Sequence, residues 1–169
     1  LPYQLAVHFG GLLMMIIGLW YLRKLLLIYF KDISVAWLLF LMAFGTNFLN
    51  YSIIDIGMSH AWLFSWYCIL MYYLEQFYKS PNFNSASIIG VSLGILTLSR
   101  PTEMIAIVLA ILWGLNSLNK ATVTQRLKFI QSNVNYFIVA ICIFLAIGSL
   151  QLFYWKYATG NWFVYSYGD

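Results

Sequence analysis

The sequence predicts an all-α fold, a polytopic transmembrane helix bundle of about six spans with both ends outside the cytoplasm. Three observations predict it. Of 169 residues, 63% are hydrophobic, 20% aromatic and only 8% charged, where a soluble domain carries about 25% charged residues and roughly 45–50% apolar ones. The apolar residues fall into long runs of the length a lipid core of about 30 Å requires. The basic residues fall between those runs, and on one side of them.

Each element follows in order. Residues 4–22 (QLAVHFGGLLMMIIGLWYL) supply a first span, closed by Arg23 and Lys24, and "LLLIYFKD" is too short for a second and extends the helix to the interface. Residues 33–50 supply the next span, with Asp32 as its N-cap. A third runs over 59–78 and stops before "KSPNFNS", a turn cluster in which Asn84 or Ser85 caps the following helix. The final span is 133–154.

Between 85 and 118 the chain reads as two short spans. As a single helix its length would be about 51 Å, far beyond the hydrocarbon core. Two spans over 86–99 and 102–118, broken at Arg100-Pro101, fit better. Pro101 disfavours helical geometry at Arg100 and suits the first position of a new helix, whose N-terminal turn then holds Glu103.

Loop charge gives an independent check. With the break as a hairpin tip, one side receives Arg23, Lys24, Lys31, Lys79, Lys120, Arg126 and Lys128, and the other only Arg100 and Lys156. That bias satisfies the positive-inside rule, and a single crossing over 85–118 would reverse it. The net charge of +4 therefore reports orientation in a lipid bilayer, and no nucleic-acid partner is expected. Cys68 and Cys142 lie in apolar runs without metal or redox spacing and read as packing residues. No internal repeat is evident, and without an initiator Met or a basic first region the chain reads as one domain, or part of one, from something longer.

This topology places Asp55, Glu103, His8, His60, Arg100 and Lys156 at the outer ends of spans or in outer loops. In "NYSIIDIGMSHAW" (50–62), Asp55 and His60 stand five apart across a glycine. A loop can bring them together as an acid–base pair or as two ligands of a divalent metal ion. The alternative has Ser59 capping a helix, His60 in its first turn and Asp55 solvated. His8 reads as a helix-interface histidine. Arg100 either snorkels to the headgroups or holds an anionic group. Glu103 is a helix-start carboxylate or the partner of Arg100. The aromatic tail "LQLFYWKYATGNWFVYSYGD" fits an interfacial belt, with a sugar-stacking platform as the other reading.

The phrases "GTNFLNYSIIDIGMSHAWLFSW", "LTLSRPTEMI" in a short hairpin, and "LQLFYWKYATGNWFVYSYGD" together resemble the multi-spanning bacterial glycosyltransferases of the GT-C superfamily, nearest the dolichyl-phosphate-mannose protein mannosyltransferase-like group. The resemblance implies an enzyme of the bacterial cytoplasmic (inner) membrane that takes a sugar from a polyprenyl-phosphate donor. It would pass that sugar, on the extracytoplasmic face, to a hydroxyl of a protein, lipid or glycan acceptor. It implies catalytic or metal-associated roles for Asp55 and His60, and donor-phosphate binding by Arg100, with Lys156 as a second base. It also places the family's principal acidic loop upstream of Leu1. Here Met58-Ser59-His60 stands where many relatives have a carboxylate. A transporter or flippase, with ionisable groups near the midplane, and a non-catalytic membrane scaffold are the competing expectations.

Overall fold

The computed structural model describes residues 2–55 and 59–164. All regular structure among them is helical: α1 (Pro2–Leu26), α2 (Asp32–Phe44), a π-helical turn (Asn50–Ile54), α3 (His60–Lys79), α4 (Phe83–Ser99), a 3₁₀ turn (Pro101–Ile105), α5 (Ala106–Leu112), α6 (Lys120–Ser132) and α7 (Val134–Thr159). The chain divides into two compact units, Leu1–Ser80 and Pro81–Asp169.

In the first unit, α1 and α3 pack side by side in the same direction. Gly10 faces Trp62, Gly18 faces Phe64 and Ser65, and Tyr21 packs edge-on against Tyr72, so both residue numbers rise together along the contact. Small residues make the approach close. A β-carbon at Gly18 would lie 2.6 Å from Ser65 Oγ, and that hydroxyl donates to the carbonyls of Met14 and Ala61. Helices in lipid associate through such small-residue contacts and interhelical hydrogen bonds. Met15, Phe48 and Ala61 form a buried apolar cluster, with Phe48 and Phe64 rings 4.3 Å apart.

Two parallel neighbours require a return segment, and α2 with the π-helical turn provides it. It starts beside the C-terminal end of α1, where Arg23 pairs with Asp32 at 2.9 Å. It ends beside the N-terminal part of α1, where His8 Nδ1 lies 2.6 Å from the Ile53 carbonyl oxygen. The expected span over 33–50 is thus interrupted: α2 stops at Phe44, and helix resumes only before the π-helical turn. The cause is local. Thr46 Oγ1 bonds back to the Met42 carbonyl and accepts from the Phe48 N–H, diverting the backbone bonds of a continuous helix. Lys31, not Asp32, occupies the N-cap of α2, because Asp32 is already helical and turned toward Arg23.

The second unit repeats the logic. α4 and α7 run in the same direction, with Phe83 on Tyr136, Gly90 on Ala140 and Gly94 on Ile147. Asn82, rather than Asn84 or Ser85, caps α4, its Oδ1 accepting from Ser85 N–H at 2.9 Å. The break falls at Arg100-Pro101, as the sequence predicts. The expected span over 102–118 is shorter than foreseen: a 3₁₀ turn opens it, and α5 ends at Leu112, ahead of Gly114 with φ 73°. That left-handed geometry suits glycine and stops a helix. Residues 120–132, read as an inner loop, form α6, started by Asn119, whose Oδ1 accepts from Thr122 N–H.

Two helices, α1 with 25 residues and α7 with 26, are long and apolar enough to cross a membrane. No residue of α7 is buried, and Ile138, Ile141, Leu145 and Leu150 stand exposed along it.

Candidate functional site

Asp55 and His60 belong to the first unit, and Arg100, Glu103 and Lys156 to the second. Asp55 follows the π-helical turn directly, its N–H donating to the Asn50 carbonyl at 2.8 Å to close the wide i→i+5 ring. Such turns leave one residue more per turn than an α-helix and concentrate at functional sites. The turn is anchored by Ser52, fully buried, whose hydroxyl donates to the Phe48 carbonyl at 2.6 Å. Asp55 itself is exposed.

His60 opens α3 behind Ser59, which stands at the N-cap without a side-chain cap bond. Its ring lies 4.8 Å from that of Tyr51, within the π-helical turn. His8, from α1, holds the carbonyl of Ile53 two residues before Asp55. Thus three elements converge on one end of the unit, and two imidazoles flank the turn that presents Asp55. No hydrogen bond or ion pair joins Asp55 to His60 among the described residues, and the linking residues 56–58 lie outside them. Nor do three of His, Cys, Asp and Glu gather as a metal site among the described residues.

In the second unit, Arg100 adopts extended backbone geometry, φ −147° and ψ 120°, as the following proline demands. Its N–H still bonds the Leu96 carbonyl, so it is the last residue tied to α4. Glu103 lies in the first turn of the new helix, and its N–H donates to the Arg100 carbonyl at 2.9 Å. Lys156 is engaged otherwise. Its Nζ donates to the Gly160 carbonyl at 2.6 Å and lies 5.7 Å from the Trp162 ring centroid. A cation there complements the C-terminal end of α7, and Gly160, at φ 77°, closes the helix by donating to the Lys156 carbonyl. Trp162 also packs edge-on against Phe153, which folds the start of the aromatic tail onto the helix end.

Sequence reasoning overlooked the opposite end of the first unit, where ordered polar contacts are dense. Arg23 pairs with Asp32, and Lys79 with Glu75, both at 2.9 Å. The ammonium of Lys24 lies between 5.2 and 5.6 Å from the ring centroids of Trp20, Tyr21 and Tyr72. Tyr29 bonds Glu75, which with some burial and the carboxylate's own charge pushes the phenol up to about 12. The four-residue spacing of Glu75 and Lys79 was the available signal.

Comparison with protein-family models, curated proteins and solved structures finds no match to this chain.

Proposed function

We propose that this chain is a membrane-embedded part of a glycosyltransferase that moves a sugar from a polyprenyl-phosphate donor to a hydroxyl of a protein, lipid or glycan acceptor. The reading places about six crossings in the bacterial cytoplasmic membrane and both ends on the extracytoplasmic side. One observation carries it: helices too greasy for water end in ionisable residues held at helix breaks, Asp55 beyond the π-helical turn and Arg100 at the kink before Pro101. Ionisable groups gathered at the outer ends of apolar helices are where the chemistry of such a protein is expected.

The chemistry assigned to them is an inverting transfer. Asp55, with His60 nearby in sequence, takes the acceptor hydroxyl proton. The freed oxygen attacks the anomeric carbon, and the bond from that carbon to the phosphate oxygen breaks, its electron pair leaving with the polyprenyl phosphate. Arg100 is assigned separately, within the second unit, to the phosphate of the polyprenyl donor. A divalent ion held in part by Asp55 and His60 would stabilise charge gathering on the leaving phosphate.

A transporter is the second reading, favoured by the interrupted return segment between α2 and the π-helical turn. However, no ionisable side chain lies at the interruption, and the Thr46 hydroxyl there is turned onto its own segment, donating to the Met42 carbonyl and accepting from the Phe48 N–H.

The test is transfer from a polyprenyl-phosphate sugar by membrane vesicles carrying the full-length protein. Arg100→Ala should lower it by about 100-fold or more, the usual cost of losing a transition-state charge partner, with expression and thermal unfolding unchanged. Wild-type transfer by that variant would sink the donor-phosphate role.

A further inference from the structure

We infer that α6 lies along the cytoplasmic membrane surface and binds the headgroups of anionic phospholipids through Lys120 and Lys128. The inference goes beyond the catalytic reading but rests on the membrane placement of α7.

The sequence of α6, KATVTQRLKFIQS, contains Lys120, Arg126 and Lys128 and no acidic residue. At about 100° per residue, Val123, Leu127 and Ile130 share an arc of about 60°. Lys120 borders one edge of that arc, with Thr124 and Lys128 beyond it, and Arg126 borders the other. Val123 and Leu127 are exposed, and no residue of α6 is buried. An apolar stripe between cationic flanks is the pattern of a helix lying in the headgroup plane.

The ends of α6 fix it in place without covering that face. Thr122 Oγ1 donates to the carbonyls of Ser117 and Asn119 at its start. The guanidinium of Arg126 donates to the Trp113 carbonyl, just past α5, and stacks over Phe129. At the far end only Asn133 separates α6 from α7, the apolar helix long enough to span lipid. A helix joined by one residue to a membrane span has its height set by that span, at the water boundary. Positive loop charge assigns this boundary to the cytoplasmic side, whose leaflet is rich in anionic lipid.

Lys120, Ala121, Thr124, Gln125 and Lys128 line an open furrow of about 470 Å³. Two ammonium groups and one amide present there the donors a phosphodiester takes, while the Thr124 hydroxyl donates to the Lys120 carbonyl. The furrow borders the apolar stripe, so a headgroup seated in it leaves its acyl chains directed along Leu127 and into the bilayer. A free phosphate would use the same donors but not the stripe.

The test uses the purified full chain. Native mass spectrometry would count adducts formed with phosphatidylglycerol or phosphatidylcholine in detergent. Lys120→Gln with Lys128→Gln should weaken phosphatidylglycerol binding by roughly 25-fold, about fivefold per lysine, and leave phosphatidylcholine binding unchanged. Wild-type binding of phosphatidylglycerol by the double variant overturns the proposal, as does its displacement by millimolar inorganic phosphate. In liposomes, bimane on Leu127→Cys and, separately, on Ile141→Cys, each in a background of Cys68→Ala and Cys142→Ala, should be quenched by nitroxide lipids. Quenching at Ile141 but not at Leu127 overturns the surface placement of α6 and leaves the membrane reading standing. Quenching at neither position overturns both.

Discussion

Tyr29 and Arg100 illustrate how differently single residues can be read. Arg100 stands out in the sequence because it is charged among apolar neighbours. Tyr29 does not, yet its bond to Glu75 raises its phenol to about 12. Since the folded pKa exceeds the ordinary value of about 10, the protonated phenol favours the folded state. The contribution is fully present below pH 10 and disappears as pH rises through about 12. Tyr29→Phe should therefore remove one tyrosine step near pH 12 from an absorbance titration. The stability gap between wild type and variant should narrow over that same interval. A gap independent of pH up to 12 would mean that the bond to Glu75 contributes nothing. Lys156 marks the other limit of residue-level reading. As an outer-face base beside Arg100 in the expected topology it invites a phosphate-binding role, and the structure adds that one of its three ammonium donors is held by the carbonyl of Gly160. The Thr-Gly-Asn turn was visible in sequence, but its curl back to Lys156 depends on a left-handed glycine that spacing does not report.

Among the elements, those dictated by length and hydropathy were legible and those dictated by competing hydrogen bonds were not. α3 matches the expected 59–78 almost to the residue, and α4 ends where proline requires. The interruption after Phe44 was missed because Thr46 reads as an ordinary small residue inside an apolar run; the break is marked by the Phe48 N–H, which bonds the Thr46 hydroxyl instead of a helical carbonyl. α6 was missed because its apolar residues are few, and a search for long greasy runs passes over a helix that lies on a surface. The glycines of α4 and α7 allow a quantitative test. A β-carbon at Gly90 would sit 2.5 Å from the Ala140 carbonyl oxygen, whereas one at Gly148 meets nothing within 4 Å. Gly90→Ala should then destabilise the fold by about 1–3 kcal/mol, as overpacking does. Gly148→Ala should be neutral or stabilising by up to about 1 kcal/mol, since alanine is the better helix former. Unfolding of both variants in mixed micelles measures the difference, and equal stabilities would contradict the close crossing of α4 and α7.

For the molecule as a whole, composition led to the expectation of lipid and loop charge to the expected orientation, and the described residues add two helices long and apolar enough to cross a membrane, with apolar side chains exposed along them. The hairpin at Arg100 makes a topological prediction. Cysteines introduced singly as Lys31→Cys and Ser117→Cys, in the background lacking Cys68 and Cys142, should react with an impermeant maleimide from the same side, and Thr102→Cys from the opposite side. If Ser117→Cys labels from the side of Thr102→Cys, residues 85–118 cross once and the orientation argument collapses. The candidate site was legible only as a set of outer-end residues. The spacing of Asp55 and His60 put both at one end of the first unit, but the π-helical turn that presents Asp55 has a wide backbone ring that leaves no signature in residue types.

The parallel pairing of α1 with α3 and of α4 with α7 carries a consequence for how the chain is made. Ser65 bonds the carbonyl of Met14 across 51 residues of sequence, and the contact of Gly90 with Ala140 closes a loop of similar size. Neither pair can form as a simple hairpin during synthesis, because each first helix must wait for a return segment and a third helix. Closing such loops costs entropy before any packing is gained. A nascent α1 therefore waits with Gly18 uncovered until Phe64 and Ser65 arrive, and assembly is timed by translation of about fifty further residues.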